Sequence, residues 1–151
     1  MRVLVQRSLN SCVSVHDKIV GKIDKGMVVF VAFTYGDSLE EIDYLINKIL
    51  HLRIFDDEKG IMNKSILDVS GSILSVSQFT LYADSKKGNR PSYIEALDSI
   101  NALKLYTIFN ERLSKYVNVE TGEFGAEMLV NINNDGPVTI LLEKEKADDK
   151  K

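Results

Sequence analysis

GMVVFVAFT, residues 26–34, runs directly into YGDSLEEIDYLINKIL, residues 35–50, and the junction changes the hydrophobic period. The first stretch is apolar nearly throughout, as a strand buried on both faces is. In the second, Ser38 and Glu41 form a capping box. Ile42, Leu45, Ile46 and Ile49 follow at the i, i+3, i+4, i+7 spacing of a helix with one apolar stripe. A buried strand followed by a helix that must cover it is the nucleus of a mixed α/β domain.

Upstream, Val3 and Val5 alternate with Leu4 and Gln6, Val13 and Val15 flank Ser14, and Ile19 to Ile23 carries a central glycine, so the opening third reads as short strands. Downstream, DDEKG (56–60) is a turn, and SILSVSQFTL (72–81) predicts a further strand. A second helical region is expected from about Ser92 to Tyr116, with Leu105, Phe109, Leu113 and Tyr116 on its apolar face. Two closing strands, Met128 to Ile132 and Val138 to Leu142, are separated by the turn signal NNDGP. The order predicts one α/β domain over residues 1–142, mixed but mainly antiparallel, with helices on one side. A charged tail, 143–151, is expected to be disordered.

Composition narrows the chemistry. The chain has 151 residues, 44% hydrophobic and 27% charged, which suits a single globular domain with its own core. Its one cysteine, Cys12, has no internal disulfide partner, and no apolar run approaches a membrane span, so a soluble, cytoplasmic protein is expected with no membrane partner. The net charge of −3 excludes a global positive field, and any RNA contact must be local. Two histidines, His16 and His51, lack metal-ligand spacing and read as a hairpin end and a helix end. Gly21 and Gly26 have the first spacing of a phosphate loop, but Met27 stands where the lysine must be, and no GxGxxG or GxSxG frame occurs. No metal and no cofactor is called for.

Two segments remain unexplained by packing. In SQFTLYAD (77–84), Ser77, Gln78 and Thr80 share a strand end, where each unpartnered buried polar group costs about 1–3 kcal/mol. They suit either a polar pocket with free backbone N–H groups or a half-solvated edge strand. Lys86, Lys87 and Arg90 follow, a local basic cluster suited to a polyanion such as an RNA end. In NNDGPVT (133–139), the Gly136-Pro137 bond is of the type for which cis is cheap. A cis bond would turn neighbouring carbonyls to one side, where they could accept from an ammonium group, while a trans turn into the last strand is the ordinary alternative.

Together, SQFTLYAD and NDGPVT resemble the signatures of the D-aminoacyl-tRNA deacylases, and the similarity extends from Met1 to about Leu142, including KKGNRPSY and ETGEFGAEM. The resemblance implies a barrel-like β core with helices packed outside, a homodimer, and hydrolysis of the ester of D-aminoacyl-tRNA, with glycyl-tRNA as a minor substrate. It implies that Ser77, Gln78, Phe79 and Thr80 line the reaction centre. Gly136 and Pro137 would act across the dimer as chiral selector, Arg7 would orient the selector carbonyls, and Phe124 and Met128 would cradle the terminal adenine. The ribose 2′-OH would assist the reaction. Tyr93 stands where the family commonly has Phe, and Leu129 where a polar residue is usual. Thr80 as covalent nucleophile, a module that binds the aminoacylated RNA end without cleaving it, and a structural role in which both motifs only close a dimer interface are the alternatives left open.

Overall fold

The computed structural model describes residues 1–146. Strand β1 (Arg2–Val15) is the spine of the sheet, because both its edges are used. Along one edge lies β8 (Leu129–Glu143); along the other, β3 (Gly26–Ala32) pairs its first half and β2 (Lys18–Ile23) its second, all antiparallel. Outward from β3 come β6 (Ser72–Ser77) and β7 (Asn118–Thr121), both parallel. Those parallel steps need long crossovers. Helix α1 (Leu39–His51) supplies one and α2 (Ser99–Leu113) the other. A small hairpin, β4 (Phe55–Asp56) with β5 (Met62–Lys64), interrupts the first crossover.

The sheet curls until β7 meets β2 without a ladder between them. A Cβ built on Gly21 would stand 2.5 Å from the Thr121 carbonyl oxygen, so only glycine lets the two strands approach. The result is a nearly closed barrel with two cores. Val28 on β3 and Leu74 and Val76 on β6 point inward to meet Val13 and Ile23, with Met128, Val130 and Ile132 against them. The alternate residues Met27, Val29, Val31 and Ile73 point outward and are covered by α1 and α2. This double burial is why residues 27–33 show no polar alternation.

Helix α1 begins as its sequence requires: the Ser38 N–H and hydroxyl both donate to Glu41 Oε2 at 2.7 Å. Its stripe of Ile42, Leu45, Ile46, Ile49 and Leu50 is buried, each side chain contributing about 1.5–3 kcal/mol. No helix among the described residues is long and apolar enough to cross a membrane.

Several expected boundaries shift. The strand expected to reach Leu81 ends at Ser77, and Phe79–Tyr82 forms a 3-10 turn. The second helix starts at Ser99 rather than near Ser92; its buried face is Tyr106, Phe109 and Leu113, while Tyr116 lies beyond the helix and is exposed. The two closing strands are one, β8, which passes through NNDGP by bulging. Glu143, placed in the tail, pairs with Arg2 in β8, and Lys144 exchanges hydrogen bonds with Met1. The remainder of the expected tail, residues 147–151, lies outside the described residues.

Candidate active site

The end of β6 builds the first half of the site. The ladder with β3 stops at the pair Val31 and Ser77, and Gln78 N–H makes one last bond to the Val31 carbonyl at 2.8 Å. The chain then tightens into the 3-10 turn, whose first internal bond comes from Leu81 N–H to the Gln78 carbonyl. The N–H groups of Phe79 and Thr80 therefore have no acceptor among the described residues, as the opening of any helical turn requires. Arg2 fixes this turn from behind: its Nη1 donates to the Leu81 carbonyl at 2.8 Å and its guanidinium lies 4.4 Å from the centre of the buried Tyr82 ring.

In front of the turn is a cavity of about 610 Å³. Ser77, Gln78 and Phe79 line one wall, and Phe124 and Met128, from the segment joining β7 to β8, line another. Tyr93 packs edge-on against Phe79, ring centres 5.2 Å apart, at the mouth. Thr80 is adjacent but is not part of the wall; it is exposed, and its Oγ1 donates to Gln78 Oε1 at 2.6 Å. No histidine or cysteine side chain contributes to the lining.

Tyr106 supports this arrangement from α2, a role the sequence reading missed. Its hydroxyl donates to the Ser75 carbonyl at 2.8 Å and accepts from Ser75 Oγ at 3.3 Å, and its ring lies 5.9 Å from that of Phe124. Burial pushes the Tyr106 phenol above its ordinary value, so it stays a neutral strut. A polar-tipped aromatic on an otherwise apolar helix face was the available signal.

The second half is the bulge in β8. Gln6 pairs with Thr139 and Ser8 with Asn134, so residues 135–138 all stand opposite the single residue Arg7. Asn134 closes the base of this loop: its Nδ2 donates to the carbonyls of Arg7 and Val138, both at 3.0 Å, and its Oδ1 accepts from Gln6 Nε2 and Thr139 Oγ1. Arg7, 9% exposed, donates from Nη1 to the Ile54 carbonyl at 2.7 Å and from Nε to the Asp135 carbonyl at 3.3 Å. Its charge is met by Asp135 at 3.2 Å and Asp56 at 3.6 Å. The Gly136-Pro137 bond is cis, Gly136 has φ +116°, and a Cβ there would strike Val138. Both residues are exposed.

Of the nine residues singled out from sequence, the chain thus brings together Ser77, Gln78, Phe79, Phe124 and Met128, with Thr80 beside them. Arg7, Gly136 and Pro137 form a separate group that does not line the cavity of the same chain. Gln6, Asn134 and Thr139 were not assigned roles, although Asn134 and Thr139 are the ends of the NDGPVT segment itself.

Comparison with known proteins is consistent across sequence and structure. A family model described as D-Tyr-tRNA(Tyr) deacylase matches residues 4–143. A protein of Clostridium novyi (strain NT) named D-aminoacyl-tRNA deacylase is 51% identical over 97% of this chain and 99% of its own length. One of the same name from Thermosipho melanesiensis is 53% identical over the same shares. Among solved structures, one titled c-Myc DNA Unwinding Element Binding Protein superposes with a TM-score of 0.92 at 39% identity, covering 97% of this chain and all of that one. Another, titled as a probable eukaryotic D-amino acid tRNA deacylase, has a TM-score of 0.81 at 20% identity, over 93% and 97% of the two chains, and shares the fold.

Proposed function

Because the chain belongs to the D-Tyr-tRNA(Tyr) deacylase family, we propose that it hydrolyses the ester of D-aminoacyl-tRNA, releasing the free D-amino acid and tRNA. The observation that carries this reading is the pairing of two N–H groups without an acceptor among the described residues, those of Phe79 and Thr80, with an adjoining cavity whose walls are largely apolar and carry Phe79, Tyr93 and Phe124. Donors of this kind stabilise the oxyanion that develops when water attacks an ester carbonyl. An aminoacyl ester is intrinsically labile, so alignment and charge stabilisation suffice without a nucleophilic side chain. Phe124 and Met128 offer the flat apolar surface on which a terminal adenine would rest, and the neighbouring ribose 2′-OH would assist the attacking water.

Chirality requires a third point of attachment. The carbonyls of Gly136 and Pro137 would receive the substrate ammonium, and the exposed, tightly braced bulge that carries them is suited to insertion into another molecule. These residues do not line the cavity of their own chain, and in this reading a second copy supplies them, the working unit being a homodimer. With ammonium and ester both fixed, a D side chain points outward and an L side chain collides with the selector. Glycine, lacking a side chain, is hydrolysed slowly. The unpaired Cys12 and a tRNA substrate both fit a cytoplasmic setting.

Incubation with D-tyrosyl-tRNA and L-tyrosyl-tRNA tests the reading. Multiple turnovers of the D ester and none of the L ester are expected. Protection of either ester without release would make the protein a binding module.

A further inference from the structure

The cavity described above has room for an amino acid and an adenosine, yet it holds no positive side chain to meet the phosphates that follow in an RNA. Arg2 is committed to the back of the turn, and the exposed segment 85–91, between that turn and Tyr93, contains Lys86, Lys87 and Arg90. This segment is a closed loop. Asp84 and Ser92 exchange both backbone hydrogen bonds at 2.8 Å, Asp84 Oδ1 caps the Lys86 N–H at 2.9 Å, and Gly88 at φ +73° makes the turn.

The loop is flanked on both sides by residues of the site. Its first strand leaves the 3-10 turn that carries Phe79 and Thr80, and its second leads directly into Tyr93, whose ring packs on Phe79. The cations are therefore tethered to the rim of the cavity rather than placed elsewhere on the surface.

Their charge is also uncommitted. Of the five arginines in the chain, Arg2, Arg7, Arg53 and Arg112 each bond a carbonyl or carboxylate, whereas Arg90 has no such partner among the described residues. The side chains of Lys86 and Lys87 likewise enter no ion pair among the described residues; among the lysines only Lys64 does, with Glu58 at 2.7 Å. In a protein of net charge −3, this one short exposed loop carries three cations that have no ion-pair partner among the described residues.

We propose that Lys86, Lys87 and Arg90 form a phosphate clamp that grips the backbone of the RNA immediately before its aminoacylated 3′ nucleotide. This inference rests on the deacylase reading and assigns the residues by which the RNA, as distinct from the amino acid, is recognised. A phosphate contact carries no sequence information, so the clamp positions any acceptor end and leaves discrimination to the cavity.

The test compares the wild-type protein with a K86A/K87A/R90A variant on two esters, D-tyrosyl-tRNA and D-tyrosyl-adenosine, the second having no phosphate. Three phosphate contacts on single-stranded RNA give a salt slope of about 2, at about 0.7 per contact. On D-tyrosyl-tRNA, kcat/KM of the variant should therefore fall at least tenfold at low salt, through KM. Between about 50 and about 200 mM salt the wild type should lose about 20-fold more than the variant. On D-tyrosyl-adenosine the two proteins should agree within about twofold, and a K86R/K87R/R90K variant should keep the wild-type salt slope. Equal losses on both esters, or an unchanged salt slope on the tRNA, would overturn the clamp while leaving the deacylase reading intact. Wild-type protein inert toward both esters would instead overturn that reading, and the clamp with it.

Discussion

Thr80 Oγ1 donates its proton to Gln78 Oε1 across 2.6 Å. A neutral amide cannot accept that proton in a reaction, so the hydroxyl is held without being activated. Thr80→Ala is accordingly expected to retain hydrolysis of D-tyrosyl-tRNA within about tenfold, less than the 10²–10⁴ typical of a lost general acid or base. Steady-state kcat measures this. Loss of activity to background with tRNA binding and fold intact would assign Thr80 the nucleophilic role.

Arg7 joins three distant pieces of chain: β1, the Ile54 carbonyl and the Asp135 carbonyl. Arg7→Ala leaves a buried carbonyl unpaired, costing about 1–3 kcal/mol, and releases the bulge that carries Gly136 and Pro137. A lower unfolding midpoint and a smaller ratio of D to L hydrolysis rates are expected together. Arg7→Lys keeps the charge without the planar fork, so it should recover more of the stability than of the rate ratio. Urea unfolding alongside D and L rates separates the two effects.

The contrast between these two sites shows what could be read from sequence. The capping box of Ser38 and Glu41, the apolar run 27–33 and the stripe of α1 are local patterns, and each appears where its period places it. SILSVSQFTL reads as one strand because nothing in its composition marks where β3 runs out of partners; the break at Ser77 is set by a neighbour more than 40 residues away. NNDGP reads as a turn because locally it is one. Only the continuous edge of β1 makes it a bulge within a single strand. No local pattern marks Arg7, since its partners lie 47 and 128 residues away in sequence.

Glu41 is one carboxylate that makes stability depend on acid pH. Burial opposes its charge, but the hydrogen bonds from Ser38 outweigh it and hold the carboxyl below its ordinary 4.5. A depressed folded-state value stabilises the protein above the ordinary one, and the contribution is lost as pH falls through the folded value. Glu41→Gln should cost about 1 kcal/mol at neutral pH and flatten the fall in stability below about pH 5. Unfolding midpoints across pH 3–7 check both; an unchanged acid limb would show that other carboxylates set it.

The proposed reaction assigns part of the chemistry to the ribose 2′-OH of the substrate. A tRNA ending in 2′-deoxyadenosine, charged through its 3′ oxygen with D-tyrosine, should bind normally and be hydrolysed at least a hundredfold more slowly, the lower end of general acid–base contributions. Equal single-turnover rates for the ribo and deoxy substrates would transfer that role to water or to a protein group.

Handedness at the α carbon is most directly tested by single-turnover rates on three esters of tRNA that differ only in that centre: D-alanyl, glycyl and L-alanyl. A steric selector built from the Gly136 and Pro137 carbonyls gives a fast D ester, a slower but measurable glycyl ester and an L ester at the uncatalysed rate. Hydrolysis of the L ester at or above the glycyl rate would contradict it.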